Sequence, residues 1–219
     1  MTTRAVCVDV MGTLFDLSAL RRRLEDLAAP PPALEAWFGR LLHTAAAVTL
    51  IDDYRPFPEL ARPVLESVLA QLNRDPGGAA HVLDALAQLD PYPDAVPALE
   101  RLTSAGVRVV ALTNGTEQNT RALLARAGLE RHVERVVSTD AVGRSKPHPA
   151  VYRYAVDQLA TPAAEVTLIA AHGWDVAGAR TAGLSAVWVS RLERHWPLPP
   201  PQPPTADDLT GAADHILAG

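Results

Sequence analysis

A doubly covered parallel α/β sheet, with an all-helical segment inserted after its first strand, is predicted by three observations. The chain begins with a short, almost continuous apolar run, Ala5-Val6-Cys7-Val8-Asp9-Val10, closed by the turn signal Met11-Gly12-Thr13. No strand-like run follows between about residues 17 and 90. From Pro93 onward, helical and strand-like segments alternate to near residue 190. Apolar runs without alternation suit strands buried on both faces, and helix–strand alternation suits parallel pairing.

Each element has a local reason. After the first strand, Leu17, Leu20, Leu24 and Leu27 recur at spacings of three and four, the helical period, before the break Pro30-Pro31-Pro32. A longer helix is expected from Ala33 to about Ile51, carrying Trp37, Leu41, Leu42 and Val48. Two more helical segments, Pro58–Asn73 and Gly78–Leu89, are separated by Asp75-Pro76-Gly77. Asp94–Ala105 reads as a helix stopped by Gly106, and 107–112 as a strand. Glu117–Ala127 is helical up to Gly128, and Arg135–Ser138 is a short strand. Ala150–Leu159 is a helix, Val166–Ala170 a strand, Val176–Ala182 a helix stopped by Gly183, and Ala186–Val189 a strand. Pro197 to Pro204 is a Pro-rich surface loop. The expected architecture is therefore a Rossmann-like parallel sheet with helices on both faces. Residues 1–16 and 90–219 form its core domain, and 17–89 a helical cap domain.

Composition excludes several function classes. The 219 residues carry a formal charge of -5 with 48% hydrophobic and 21% charged residues, enough to bury a real core. The mild acidity argues against a nucleic-acid partner. No run reaches the ~18 apolar residues of a membrane span, and the N-terminus lacks signal-peptide features. The lone Cys7 rules out an intramolecular disulfide and fits a reducing compartment, so a cytoplasmic protein is expected. Of the 20 basic residues, 19 are Arg; the single Lys is Lys146. A site that needs a compact ammonium in place of a planar fork would explain that exception.

In open α/β sheets, ligands bind beyond the carboxyl ends of the strands. The residues delivered there are Asp9 with its turn, then Thr113-Asn114-Gly115-Thr116, then Ser145-Lys146-Pro147, and finally Ala171-His172-Gly173-Trp174-Asp175. Four strand ends thus supply a carboxylate, a hydroxyl with an amide, an ammonium, and a second carboxylate. Cys7, in mid-strand, is expected to be a small buried hydrophobe. Arg21-Arg22-Arg23 reads as a solvated helix face, and His43, His81, His132 and His148 show no ligand spacing.

Asp9-Val10-Met11-Gly12-Thr13-Leu14-Phe15-Asp16, Leu112-Thr113-Asn114-Gly115, Ser145-Lys146-Pro147-x-Pro149-x-Val151-Tyr152 and His172-Gly173-Trp174-Asp175-x-Ala177-Gly178-Ala179 resemble the four motifs of the haloacid dehalogenase superfamily. They occur in order over nearly the whole chain, with a helical block where that superfamily places its cap. Its phosphatase members hold Mg²⁺ with several carboxylates, including one two residues after the nucleophile and an acidic pair in the last motif. Met11 and Ala171 stand at those positions here. The chain therefore resembles the metal-independent L-2-haloacid dehalogenase branch, which uses no cofactor.

That resemblance implies hydrolytic dehalogenation of short 2-haloacids. Asp9 would attack the halogen-bearing carbon and form an ester, which water then hydrolyses. Lys146 would keep Asp9 ionised, and Asp175 would orient or deprotonate the water. Thr113 and the backbone amides of Val10 and Met11 would hold the substrate carboxylate. Asn114 would help cradle the halide, and Tyr152 and Trp174 would shape the pocket. Related enzymes are often homodimers, so the resemblance allows one here. The alternatives are a phosphatase of the same superfamily and a catalytically idle binding protein.

Three departures bear on the substrate. The dehalogenases carry a halide-binding Arg directly after the cap Trp, whereas Trp37 is followed by Phe38 and the nearest arginine is Arg40. Two residues turn a helical side chain by about 200°. Either the cap helix is rotated in register, or halide binding is rebuilt from aromatic and amide groups. Met11 replaces a Tyr after the nucleophile, and Ala170 and His172 replace Ser and Asn. His172 either bonds only its own loop or holds and deprotonates the hydrolytic water together with Asp175.

Overall fold

The computed structural model describes residues 3–219. Its six-stranded sheet is parallel throughout, in the order β3-β2-β1-β4-β5-β6. The strands are β1 (Ala5–Asp9), β2 (Arg108–Thr113), β3 (Arg135–Ser138), β4 (Val166–Ala170), β5 (Ser185–Val189) and β6 (Thr205–Ala206). Side chains alternate between two apolar layers. Val6, Val8, Val109, Ala111 and Ile169 enter one layer; Ala5, Cys7, Val110, Leu112 and Leu168 enter the other. Burial on both faces is why β1 reads as an unbroken apolar run.

Residues 18–88 hold helices and no strand. These are α1 (Ser18–Asp26), α2 (Ala33–Leu50), α3 (Phe57–Gln71) and the short α4 (Ala79–Leu83), with 3₁₀ turns at Pro76–Gly78 and Asp84–Gln88. The single helix expected over Gly78–Leu89 is thus broken. The Pro76-Gly77-Gly78 entry is a poor α-helix start, and the last turn tightens before Pro91. Within this block the Trp37 indole N–H donates to the Ala61 carbonyl at 3.1 Å, tying α2 to α3. At the far end of α2, the Thr49 hydroxyl accepts the Ser145 amide at 3.0 Å, next to the single lysine.

The remaining helices are α5 (Ala95–Ser104), α6 (Glu117–Arg126), α7 (Pro149–Leu159), α8 (Gly173–Thr181) and α9 (Leu209–Ala218). Three differences from the sequence expectation matter. β6 and α9 were not anticipated after the Pro-rich loop; α9 is capped by the Asp208 carboxylate, which accepts the Gly211 amide at 2.7 Å. Helix α8 begins at Gly173, not Val176, so Asp175 lies inside its first turn and does not cap it. Glycine is needed at 178, where a Cβ would stand 2.6 Å from the Tyr152 hydroxyl and 2.7 Å from the Pro147 carbonyl oxygen. That close approach lets α8 press against the Lys146 loop and α7.

The register Asp9↔Leu112 and Val8↔Ile169 aligns the carboxyl ends of β2, β1 and β4. The residues leaving those ends converge at one place. No helix among the described residues is long and apolar enough to cross a membrane.

Candidate active site

At the end of β1 the chain turns through Gly12, whose φ of +79° is costly for any residue with a Cβ. The turn folds back so that the Thr13 hydroxyl donates to Asp9 Oδ2 at 2.7 Å and accepts the Ala171 amide at 2.9 Å. One hydroxyl therefore joins the ends of β1 and β4. Thr13 stands in the first sequence motif but was not anticipated as a site residue; its offset of four from Asp9, across a Gly turn, is the signal that could have found it.

Lys146 is buried between two carboxylates. Its Nζ donates to Asp9 Oδ1 at 2.7 Å and to Asp175 Oδ2 at 2.8 Å. Its own backbone N–H donates to Asn114 Oδ1 at 2.9 Å, so the loop after β2 fixes the loop carrying the ammonium. Tyr152 donates its hydroxyl to Asp175 Oδ1 at 2.5 Å. Burial favours the neutral form of Asp9, but the Lys146 charge and the His172 hydrogen bond outweigh it and hold the carboxyl well below the usual range. Asp175 behaves oppositely: burial and the nearby Asp9 charge raise it despite Lys146. For Lys146, burial works against the ammonium, yet the two carboxylates raise its pKa further. The charge arrangement keeps Asp9 an ionised, acceptor-only group.

His172 lies against that group, with Nδ1 at 3.2 Å from Asp9 Oδ2. Because an ionised carboxylate cannot donate, Nδ1 carries the proton in this contact. Nε2 is buried without a hydrogen-bond partner. The imidazole is flanked by Phe38, at 5.8 Å between ring centroids, and by Trp174, at 5.2 Å.

These groups open on a cavity of about 20 Å³, room for roughly one water-sized body. It is walled by Asp9, Met11, Phe38, Leu42, Phe57, Thr113, Asn114, Gly115, His172 and Trp174. Of the residues expected at the site, Asp9, Met11, Thr113, Asn114, His172, Trp174 and Phe38 therefore come together. Leu42 and Phe57 also face it; neither had a signal distinguishing it from an ordinary core hydrophobe. The Thr113 hydroxyl accepts the Gly115 amide at 2.9 Å, leaving its proton free to donate.

Three placements differ from expectation. Arg40 turns away from the cavity and donates to Gln71 at 2.8 Å, so the register of α2 does not bring a guanidinium to the site. Tyr152 is fully buried beneath the site and lines no part of the cavity. Asp175 likewise lies behind Lys146, fully buried, away from where a water could meet Asp9. The Val10 side chain is packed into the core, which leaves the role expected of its backbone amide unchanged. Cys7 is also buried, and burial pushes its thiol up to about 12.

The donor set does not suit a divalent cation. Both carboxylates already share one ammonium, and Met11 and Ala171 offer no oxygen donor side chain. No group of three or more His, Cys, Asp or Glu side chains positioned for a metal occurs among the described residues.

An aspartate poised at the carboxyl end of the first strand, in a parallel sheet with a helical block above it, defines a hydrolase of the aspartate-nucleophile type. The chain belongs to the haloacid dehalogenase-like hydrolases, whose family model matches residues 3–183. It is 33% identical over 192 residues to (S)-2-haloacid dehalogenase 4A of Burkholderia cepacia, covering 86% of this chain and 83% of that protein. It is also 33% identical over 196 residues to the (S)-2-haloacid dehalogenase of Xanthobacter autotrophicus, covering 87% of this chain and 76% of the relative. The solved L-2-haloacid dehalogenase from X. autotrophicus with chloropropionic acid covalently bound superposes with a TM-score of 0.87. That match has 27% identity and covers 99% of each chain.

Proposed function

We propose that this protein hydrolyses the carbon–halogen bond of short 2-haloacids through an ester on Asp9, without a metal. The observation that carries the reading is the ionised Asp9 carboxylate, hydrogen-bonded by Lys146, Thr13 and His172 at the wall of a small, mostly apolar cavity. A carboxylate stripped of water and held by fixed donors is oriented for attack. The relative with covalently bound chloropropionic acid supports the same chemistry. An Asp9 oxygen forms a bond to the carbon as the halide leaves with its electron pair, inverting the centre. Water then adds to the Asp9 carbonyl carbon, the ester bond breaks, and the 2-hydroxy acid and free Asp9 result.

Residue roles follow from placement. Lys146 keeps Asp9 charged before attack, and Asp175, held by Tyr152, positions Lys146. Thr113 and the amides at the end of β1 receive the substrate carboxylate. Phe38, Trp174 and Asn114 border the departing halide, in place of an arginine. His172 replaces Asp175 as the group that receives the water's proton, because its unpartnered Nε2 is free to accept. We assign 17–89 as the cap and the rest as the core; a cytoplasmic location and a homodimer belong to the same reading, and light scattering tests the dimer.

Halide release from L- and D-2-haloacids and haloacetates, measured with and without EDTA, tests the proposal. Release that survives chelation is expected. Turnover abolished by EDTA and restored by Mg²⁺ would replace it with a metal-dependent phosphatase-like reading. A single turnover in ¹⁸O-water should place the label in Asp9 and leave the first product unlabelled.

A further inference from the structure

Beside the reaction cavity lies a second space of about 490 Å³. Phe38, Leu42, His172 and Trp174 border both, so the two spaces adjoin along these side chains. Its size falls in the range of small-molecule binding sites. The inner cavity, at about 20 Å³, holds little beyond the reacting atoms. Resting on the dehalogenase reading above, we propose that the outer space receives the side chain of the haloacid, and that the enzyme takes 2-haloacids with an extended, uncharged, apolar substituent.

The outer wall supports this. Leu34, Leu42 and Leu192 supply apolar surface against which methylene groups lose contact with water. Gly39, exposed in the middle of α2, also borders this space, and a Cβ there would meet nothing within 4 Å. A larger side chain at 39 can therefore be introduced over the mouth of the space without a clash, and replacing a mid-helix glycine does not cost helix stability.

Charge sets the polarity of the substituent. The rim carries Asp16, Glu35 and Glu193 against the single Arg21, which is paired with Glu35. Glu193 is in addition fixed on the Gly173 amide at 2.8 Å. A second carboxylate on the substrate would face this negative edge, so dicarboxylic haloacids are rejected.

The test is kcat/KM along a series of L-2-bromo acids from propanoate to hexanoate, with bromoacetate as the short reference and 2-bromosuccinate as the charged one. Burying each methylene should raise kcat/KM about fourfold, the equivalent of ~0.8 kcal/mol. Bromosuccinate should fall at least about tenfold below bromobutanoate, an effect of ~1.4 kcal/mol. Gly39→Leu, which fills open space and favours the helix, should lower the hexanoate-to-acetate ratio by about tenfold or more. A flat or falling length profile with bromoacetate turnover intact, or an unchanged ratio in G39L, overturns the proposal and leaves the dehalogenase reading standing. No turnover of any member overturns both.

Discussion

Replacing Lys146 by Met removes the only cation between two buried carboxylates while keeping much of the side-chain volume. In the native protein Nζ stands 2.7 Å from Asp9 and 2.8 Å from Asp175, with all three groups shielded from water. Removing one partner of a buried ion pair costs roughly 3–5 kcal/mol, because the remaining charge is left without compensation. Here two charges are left, so the loss should reach at least that range at pH 7. The pH dependence identifies the cause. Without Lys146, both carboxyls titrate higher in the folded state than in the unfolded chain. The folded variant then binds more protons, and its stability rises as pH falls from 7 toward about 4, by up to ~1.4 kcal/mol per pH unit per proton. In the native protein Asp9 is held low, so its contribution is full above the unfolded pKa of ~3.9 and disappears as pH falls through the folded value. The gap between the two proteins should therefore narrow on acidification. Urea unfolding of both from pH 8 to pH 4 measures it. A gap that stays constant across this range, or is below about 1 kcal/mol at pH 7, would refute the charge argument.

Lys146→Arg keeps the charge but forces a broad guanidinium into the same slot, so dehalogenation should drop far below the native rate; near-native turnover would remove the need for a compact ammonium. Thr13→Val deletes the donor to Asp9 and strands the Ala171 amide. Stability should fall by about 1–3 kcal/mol, checked by urea unfolding, and kcat by roughly tenfold or more. Arg40→Ala should change kcat/KM less than about twofold, because its guanidinium is bound to Gln71 outside the cavity. For His172→Asn, stopped-flow separation of ester formation from hydrolysis should show the second step slowed far more than the first; an unchanged rate for the second step would make His172 structural.

The sheet was legible because burial on both faces leaves a direct mark: β1, β2 and β4 are apolar at nearly every position. The four strand-end motifs were legible for the same topological reason, since parallel strands deliver consecutive loops to one edge. Side-chain direction was not. Arg40 and Phe38 are two apart on α2, and which of them meets Asp9 depends on how that helix packs on α3, through contacts such as Trp37 to Ala61. The depth of Asp175 is hidden in the sequence because a helix start at Gly173 carries no signal: glycine favours loops, and the helical pattern is evident only from Val176. Phe57 and Leu42 could not be separated from core residues, since a cavity wall and a core use the same side chains. β6 and α9 follow a Pro-rich stretch that interrupts the alternation on which the other elements were recognised.

One ammonium serving two carboxylates explains several of the departures together. A third carboxylate after Asp9 would add charge that one lysine cannot balance and would call for a divalent ion; Met11 removes it. On the metal-free reading proposed above, Asp9 is to be kept ionised by protein donors alone, and Lys146, Thr13 and His172 supply three. The same economy constrains the leaving group. A free arginine beside Asp9 would compete with Lys146 for its carboxylate, and α2 here presents Phe38 toward the site and not a guanidinium. On the proposed reading, a halide leaving into the cavity would meet the aromatic walls of Phe38 and Trp174 and the Asn114 amide, which stabilise large polarizable anions better than small, strongly hydrated ones. Bromide should therefore leave faster than chloride by more than bond strength alone requires, and comparison of L-2-bromo- and L-2-chloropropanoate with the native protein and with Phe38→Leu measures that excess. If F38L leaves the bromide-to-chloride ratio unchanged, the ring does not meet the departing ion.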